Sequence, residues 1–326
     1  MNVFTFPILR LLSDGQFHSG EVIARQFGVT RATVWNALQQ AEALGVRFYS
    51  VRGRGYRLPE PLCFLEPAGV KSALGDRGAQ FLLEFHDSMP STNTHLMQRA
   101  AEGAPHGTCV ATELQTAGRG RRGRPWQAGL GSSLTFSVLW RFDRGAGTLS
   151  GLSLAVGLAL LRALRALGLQ DAGIKWPNDM LHRQRKLAGI LIELQGDIDG
   201  PSAAVIGIGL NLRLPEAALQ AIDQPAVDLS RLLQGGIDPS HTLALILRHL
   251  AEVMETFDRH GFGALSEEWS AGHVYHRRPV TLLMPDAREI PGLVQGVTED
   301  GALLVQTADG LQRFSSGEIS LRGMNR

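Results

Sequence analysis

The chain has 326 residues, of which 44% are hydrophobic and 19% are charged, and its formal net charge is +1. This composition predicts a globular protein of two or three domains and excludes a bulk electrostatic attraction to nucleic acid or to a membrane. The two cysteines form no C-x-x-C pair, so we expect neither a disulfide framework nor a dedicated metal site. Because neither a signal peptide nor a membrane-spanning run is recognisable, we expect a cytoplasmic protein.

Residues 1–65 are predicted to form a winged helix-turn-helix domain. Ser19 can cap one helix, Thr30 can cap the next, and Gly28 separates the two. The run VRFYSVRGRGYRL, which follows, alternates apolar and polar residues and predicts a β-hairpin with a basic tip. On the apolar side of the two helices we expect Val22, Ile23 and Phe27, and then Val34, Trp35, Leu38 and Ala41.

The polar side of the second helix carries groups that hydrogen-bond to base edges, and the hairpin carries arginines that suit phosphates. A small helical module that docks to another protein would show a similar periodicity, but the turn, the caps and the basic hairpin together favour DNA binding. The predicted DNA-binding residues are Arg31, Thr33, Asn36, Gln40, Arg52 and Arg54, with Arg57 as a further phosphate contact.

A proline-rich linker near residue 65 separates this domain from the rest of the chain. The region 66–272 alternates strand-like runs such as TCVATEL and KLAGILIELQ with two long helical patterns, which predicts a mixed α/β domain. From 273 to 326 the pattern changes to short strands joined by turns, which predicts a small SH3-like β-barrel. The chain as a whole is therefore predicted to be an α+β multidomain protein.

The strongest chemical signal is the segment GRGRRGRPW, from Gly118 to Trp126. Four arginines in six residues cannot be buried without partners, but they can neutralise a phosphate or carboxylate while the glycines allow the backbone to approach it. Trp126 offers a π face for a purine. The segment also fits G-x-G-x-x-G, but no helix follows, so we reject a Rossmann turn. An arginine-rich loop that binds RNA remains an alternative.

Lysine is rare in this chain, since only three of the 32 basic residues are lysines and the other 29 are arginines. In such a sequence a lysine that persists suggests a need for a compact ammonium group rather than a planar guanidinium. The three are Lys71, Lys175 and Lys186, and the last two lie eleven residues apart.

Several motifs together resemble the signature of biotin–protein ligases, and they cover most of residues 85–215. They are PSTN (Pro90 to Asn93), ELQTAGRG, GRGRRGRPW, KWPNDM (Lys175 to Met180), RKLAGILIE (Arg185 to Glu193) and GIGLNL (Gly207 to Leu212). The resemblance implies a central ligase domain of the class II synthetase-like type that lipoate ligases share. The N-terminal domain and the C-terminal motif GEISLR (Gly317 to Arg322) further resemble the bifunctional subgroup that also represses the biotin operon.

The resemblance also implies site residues. For biotin these are Ser91, Thr92, Asn93, Gln115, Arg119, Gly120, Arg121, Lys186, Gly189 and Leu191. For ATP or the adenylate they are Arg119, Arg121, Arg122, Trp126, Asn178, Lys186 and Asn211. Short hydroxyl and amide side chains suit the ureido ring of biotin, which bears both donors and acceptors.

The implied reaction has two steps. The biotin carboxylate attacks the α-phosphorus of ATP to give biotinyl-5'-AMP, and a lysine of the biotin carboxyl carrier protein of acetyl-CoA carboxylase then takes the biotinyl group. Lys186 and Arg121 would offset the repulsion between the two anions, and Asp179 or Lys175 would help to deprotonate the acceptor lysine. Mg²⁺ would bridge phosphates and keep several waters.

As a repressor of biotin synthesis genes, the protein would use biotinyl-AMP as corepressor and bind its operator as a homodimer. Two alternatives stay open at this point. A lipoate-type ligase would share the central fold and the chemistry on a carrier lysine. A repressor that only senses a small anionic ligand would catalyse nothing, although it would have little use for phosphate-neutralising arginines beside an acyl pocket.

Overall fold

The computed structural model describes residues 2–60, 62–126, 129–222, 224–284, 286–315 and 320–323. The N-terminal part contains three helices and a hairpin. They are α1 (Thr5–Leu12), α2 (Gly20–Phe27), α3 (Arg31–Ala43), β1 (Tyr49–Val51) and β2 (Gly55–Arg57). Ser19 caps α2 through the backbone N–H of Val22, and Thr30 caps α3 through that of Thr33, as predicted.

Two of the residues expected in the core of this part lie on its surface. Val22 is 48% exposed and Trp35 is 45% exposed. Each lies next in sequence to a residue of the buried stripe, and the helix turns by about 100° per residue, so its side chain falls outside the stripe. Trp35 instead packs against Tyr56 of the hairpin, with ring centroids 6.4 Å apart, so the prediction of a buried Trp35 was wrong.

The central part is built on a seven-stranded sheet. Its elements are α4 (Pro67–Leu74), β3 (Leu82–Met89), α5 (Thr92–Ala101), β4 (Thr108–Gln115), β5 (Ser133–Phe142), α6 (Leu152–Ala166), β6 (Ala172–Lys175), β7 (Asp179–His182), β8 (Arg185–Gly196), β9 (Ser202–Asn211), α7 (Glu216–Ala221), α8 (Pro239–His260) and α9 (Ser266–Gly272). The strand order is β3-β4-β5-β9-β8-β7-β6, and all neighbours are antiparallel except β3 and β4.

The two faces of this sheet are covered differently. Helices α4, α6 and α8 pack on one face and form the main hydrophobic core with it. On the other face, the short helix α5 buries a smaller cluster that includes Leu96, Val110 and Val205. The rest of that face carries the segment from Gly118 to Trp126. Alternation along the central strands thus gives one face to the core and the other to a site.

The C-terminal part is a five-stranded antiparallel sheet in the order β13-β12-β11-β10-β14. Its strands are β10 (Pro279–Leu283), β11 (Glu289–Val297), β12 (Leu303–Thr307), β13 (Gly310–Phe314) and β14 (Ser320–Gly323). The predicted α+β fold class is confirmed. Gly317 to Ile319 of the GEISLR motif lie outside the described residues. The boundaries at residues 65 and 272 stay predictions.

The winged helix packs directly on the central part. Leu114 at the end of β4 and Leu130 after the arginine segment belong to the hydrophobic core of the N-terminal helices. Arg10 of α1 reaches Asp87 at 2.7 Å and Glu113 at 3.7 Å. No helix within the described ranges combines the length and the apolarity that crossing a membrane requires.

Candidate active site

Three glycines form the floor of the open sheet face. A Cβ atom built on Gly207 would lie 2.0 Å from Oδ1 of Asn93, and one built on Gly209 would lie 2.5 Å from the ring of Trp126. On the neighbouring strand β8, a Cβ at Gly189 would meet Trp126 and Lys186 at 3.3–3.4 Å. Any larger residue at Gly207 or Gly209 would therefore push the overlying side chain off the sheet.

The start of α5 presents a network of short polar side chains above this floor. Thr92 donates from its backbone N–H and its hydroxyl to Oε1 of Gln115, at 2.8 and 3.1 Å. Ser137 of β5 lies 2.7 Å from Oγ1 of Thr92 and donates to Oδ1 of Asn93 at 2.6 Å. Ser91 caps the helix. The network offers buried hydroxyl and amide groups to a small ligand with donors and acceptors.

The segment from Gly118 to Trp126 folds back on itself as a tight loop, which we call the arginine loop. The backbone N–H of Gly120 donates to Arg124 at 2.7 Å, and that of Trp126 donates to Gly118 at 2.9 Å. Arg122 at its tip has a φ of 56°, in the left-handed region that is unusual for a side chain other than glycine. The loop thus holds four arginines on a short, closed piece of backbone.

Arg119 points along the sheet towards the far end of β8. Its guanidinium donates to Glu193 at 3.2 Å and to the hydroxyl of Thr94 at 2.9 Å. Glu193 also accepts from Nδ2 of Asn93 at 2.9 Å. This carboxylate therefore ties the arginine loop to the polar network at the start of α5.

Arg121 reaches the turn between β6 and β7, which is bonded in turn to the middle of β8. It donates to Oδ1 of Asn178 at 3.1 Å, and Asn178 in turn donates to the carbonyl of Ile190 at 2.8 Å. Burial and, next, the neighbouring Arg122 lower the pKa of Arg121. The cause is a half-buried cation beside a second cation, an arrangement that attracts an anion.

Lys186 lies at the near end of β8, where its ammonium is 2.7 Å from Oδ1 of Asp179 on β7. The same ammonium is 5.8 Å from the ring centre of Trp126. Arg119 thus pairs with Glu193 of β8, Arg121 bonds to Asn178 in the turn between β6 and β7, and Lys186, itself a residue of β8, pairs with Asp179 of β7. A groove lined by these three cations suits an elongated ligand with a negatively charged end.

Four further residues singled out in the sequence lie in surroundings that differ from those of Arg119, Arg121 and Lys186. Asn211 is buried, and its amide donates to the carbonyls of Lys186 and Val227 at 3.3 and 3.1 Å, which fixes the backbone beside the groove. Lys175 lies on β6, opposite Asp179 in the strand register. Arg122 and Arg124 are exposed at the tip of the arginine loop. A direct ligand contact by any of these residues stays a prediction.

Two residues of the site were not predicted from the sequence. Ser137 and Glu193 both contact Asn93, and each comes from a strand of otherwise apolar character. Strand alternation was the available signal, because it places Glu193 on the same face as Gly189 and Leu191. The pairing of Glu193 with Arg119, by contrast, depends on the fold.

The predicted DNA-binding residues lie on the surface of the N-terminal part. Arg31 is ion-paired with Glu21 at 3.3 Å, with both side chains about 70% exposed. In the hairpin, Arg54 and Arg57 stack on the ring of Phe17 at 4.3 and 4.9 Å. Gln40 accepts from the backbone N–H of Asn2 at 2.5 Å. The fold therefore puts a helix and a basic hairpin side by side on an exposed surface.

Three family models match the three parts of the chain. An HTH domain matches residues 5–57, the biotin/lipoate A/B protein ligase family matches residues 85–211, and the biotin protein ligase C terminal domain matches residues 278–322. The matched regions therefore follow the order of the three parts.

The chain is similar along its whole length to curated proteins. It is 35% identical over 327 residues to the bifunctional ligase/repressor BirA of Escherichia coli, which covers 100% of this chain and 99% of that protein. It is 33% identical over 238 residues to the biotin–[acetyl-CoA-carboxylase] ligase of Paracoccus denitrificans, with coverage of 72% and 98%. A solved structure of the biotin protein ligase from Aquifex aeolicus in complex with biotin and ATP aligns with a TM-score of 0.63 at 28% identity, over 74% of this chain and 99% of that one.

Proposed function

The chain belongs to the family of bifunctional biotin protein ligases and repressors, and from this premise we propose that its central domain adenylates biotin with ATP and transfers it to a carrier protein while its N-terminal domain binds operator DNA. The observation that carries the ligase function is that Arg119, Arg121 and Lys186 are each fixed by a polar side chain of β7, β8 or the turn before β7, beside a network of hydroxyl and amide groups of the type that a ureido ring needs. ATP and biotin are its substrates.

Biotin would lie on the glycine floor, with its ring at the start of α5. Thr92, Asn93, Ser137 and Gln115 already bond to one another, so they would exchange these bonds for bonds to the ureido oxygen and N–H groups. The acyl chain would run along β8 past Leu191 and Gly189. Its carboxylate would then reach the end of the strand at which Lys186 lies.

In the first step, a carboxylate oxygen of biotin forms a bond to the α-phosphorus of ATP, and the bond from that phosphorus to the bridging oxygen of pyrophosphate breaks. Both reactants are anions, and negative charge collects on the phosphoryl oxygens. Lys186 and Arg121 are held in place by Asp179 and Asn178, so they can stabilise this charge without reorganising. The ring of Trp126 would stack on adenine.

In the second step, the amine of the carrier lysine attacks the acyl carbon of biotinyl-5'-AMP, an amide bond forms and AMP leaves. The amine must first lose a proton. Asp179 and Lys175 face each other in the register of β6 and β7, and we propose Asp179 as the proton acceptor, because it is the carboxylate nearest Lys186. The carrier would be the biotin carboxyl carrier protein of acetyl-CoA carboxylase.

Mg²⁺ is expected to accompany ATP, but the described residues beside the groove offer no free pair of carboxylates to hold it. The two carboxylates at the groove, Asp179 and Glu193, are each paired with a cation of the protein. Neither step of the proposed reaction therefore requires a Mg²⁺ ion held by the protein. The ion would enter on the phosphates of ATP and keep its remaining waters.

The repressor function follows from the winged helix and its exposed basic hairpin. We propose that biotinyl-AMP acts as corepressor by ordering the arginine loop and favouring a homodimer, so that two winged helices meet a palindromic site on genes of biotin synthesis. A cytoplasmic location would bring ATP, the carrier protein and DNA together.

The test is release of pyrophosphate from ATP by the purified chain, with biotin, lipoate or no acid added. We expect release with biotin alone. Release with lipoate alone would favour a lipoate ligase, and binding of biotin without any release would favour a ligand-sensing repressor. Sedimentation with and without biotinyl-AMP tests the dimer, and a monomer under both conditions would contradict it.

A further inference from the structure

A second group of polar side chains lies at the edge of the central sheet, away from the groove. Glu84 and His86 are alternate residues of the edge strand β3, so their side chains leave the strand on the same side. His95 belongs to α5, the helix that covers this side of the strand. One carboxylate and two imidazoles are thereby brought together from two elements.

These three side chains are close enough to share one ion. One ligand atom from each of Glu84, His86 and His95 lies within 4.8 Å of the other two, and the two imidazole rings are 5.5 Å apart at 66°. A tetrahedral zinc site with bonds of about 2.1 Å places its ligand atoms about 3.4 Å apart. Small rotations of the side chains, by about 1 Å, would close the group around a metal.

His95 has a polar atom for which the fold provides no partner. Its Nε2 atom is buried and makes no hydrogen bond with any described residue. A buried ring nitrogen without a partner loses its bonds to water and gains none in return, which is costly and uncommon. A metal ion at the cluster would satisfy this nitrogen.

Arg99 is the competing cation at this place. It lies one turn after His95 on α5 and donates to Oε2 of Glu84 at 2.9 Å. A dication binding at the cluster must share this carboxylate with the guanidinium. The affinity of the cluster for a metal is therefore lowered by Arg99, and this gives a test in which a substitution strengthens binding.

We propose that Glu84, His86 and His95 form a binding site for a divalent transition-metal ion of the Zn²⁺ type. Two imidazole nitrogens and one carboxylate oxygen select zinc, cobalt, nickel or copper over Mg²⁺ and Ca²⁺, which prefer oxygen ligands. Three protein ligands leave a further position for water. This prediction replaces the sequence-based expectation that the chain has no dedicated metal site.

Such an ion would connect α5 to the sheet edge. The first turn of α5 carries Thr92 and Asn93 of the proposed biotin site, and His95 follows two residues later. A metal bond at His95 would restrain this turn and stabilise the folded state. The site stands independently of the ligase chemistry, because it uses none of the residues of the groove.

The experiment is calorimetric titration of the full, untagged, metal-free chain with Zn²⁺ in the absence of ATP and biotin. We expect one equivalent to bind and to raise the thermal midpoint. His86→Ala, at an exposed position, should weaken binding at least roughly 100-fold, and His95→Ala should do the same. His241→Ala, an exposed histidine on α8, is the matched control and should bind like the unchanged chain. Arg99→Gln should bind Zn²⁺ more tightly.

The opposite results would overturn the proposal. They are no uptake of one equivalent by the unchanged chain, or equal affinity in the unchanged chain and in His86→Ala. An affinity of Arg99→Gln for Zn²⁺ equal to that of the unchanged chain would show that Glu84 is not a ligand. The thermal midpoint of each variant without metal shows whether it is folded, and His86→Ala decides the matter if His95→Ala does not fold.

Discussion

Lys186 and Asp179 form an ion pair of 2.7 Å across the neighbouring strands β7 and β8, with side chains that are only 19% and 16% exposed. A partly buried pair of this kind fixes the position of both charges, because removal of one leaves the other without compensation in a poorly solvated place. The ammonium is thereby set beside the arginine loop before any anion arrives. Preorganised charge is the main means by which a protein stabilises a phosphoryl transition state.

Replacement of this ammonium should slow adenylation. We expect Lys186→Ala to lower the rate of biotin-dependent pyrophosphate release about 10²–10³-fold, the range typical of removing one preorganised electrostatic contact. Lys71→Ala, at an exposed position on α4, is the matched control and should leave the rate unchanged. An equal loss in both variants would contradict a specific role for Lys186.

The role of Asp179 can be distinguished from that of Lys186 by measuring adenylation and transfer separately. Asp179→Asn should slow pyrophosphate release, because Lys186 loses its partner, and should also slow transfer from preformed biotinyl-AMP, because the acceptor amine loses a base. Transfer at the normal rate, together with slow adenylation, would limit Asp179 to positioning Lys186. The measurement is single-turnover biotinylation of a carrier protein.

The glycine floor predicts a steric effect on biotin binding. In Gly207→Ala the new Cβ would lie 2.0 Å from Oδ1 of Asn93, so Asn93 must leave its bonds to Ser137 and Glu193. We expect biotin to bind at least about tenfold more weakly, or 1.4 kcal/mol. In Gly78→Ala the nearest atom is 3.7 Å away, so this control should bind biotin normally. Calorimetry with biotin measures both, and equal affinities would place biotin elsewhere.

Glu113 predicts a dependence of stability on pH. Burial raises the pKa of this carboxyl to about 7 from an ordinary value of 4.5, and the backbone N–H of Leu65 and the charge of Arg10 oppose the rise. Between pH 4.5 and 7 the folded chain binds more protons at Glu113 than the unfolded chain, so the free energy of unfolding falls as the pH rises through this window. The loss should be about 2–3 kcal/mol.

Urea unfolding at pH 5 and pH 8 measures this loss. In Glu113→Gln, which does not titrate, the difference between the two pH values should be smaller by that amount. Glu267→Gln, at an exposed acidic residue of α9, should keep the full difference. A profile of Glu113→Gln that matches the unchanged chain would show that another group causes the dependence.

The winged helix predicts two different effects on DNA binding. Arg54→Ala should weaken binding to all sequences and lower the slope of log K against log salt by about 1, because one phosphate contact is lost. Asn36→Ala should cost about 1–3 kcal/mol and relax specificity at one base pair. Anisotropy with a duplex selected from a random pool measures both, with Arg183→Ala of the central domain as the control. A change of sequence specificity in Arg54→Ala would show that Arg54 contacts a base and not a phosphate.

The sequence was sufficient to predict the three-part architecture, because caps, alternation and turns act locally. Ser19 and Thr30 cap their helices as predicted, and β4, β5, β8 and β9 fall where the strand-like runs were predicted, whereas β3, β6 and β7 were not predicted. The predicted position of Trp35 was wrong. Its partner Tyr56 comes from a hairpin whose docking on the helix depends on tertiary packing. The residue-level site could be anticipated only through motifs that resemble a known family.

What the sequence could not supply is the pairing of charges across strands. The partners of Arg119 and Lys186 are Glu193 and Asp179, and only the fold brings each pair together. The cluster of Glu84, His86 and His95 was invisible for the same reason, because its third member belongs to another element. Register and helix docking set these distances, and neither is encoded in a short window.

Three consecutive residues at the end of β4 each serve a different part of the protein. Glu113 meets Arg10 of the winged helix, Leu114 enters the core of that domain, and Gln115 accepts two hydrogen bonds from Thr92 in the polar network. The distance along the strand from the first to the third is about 7 Å. A ligand that changes the hydrogen bonds of Gln115 would therefore act within two residues of the side chains that hold the DNA-binding domain against the sheet.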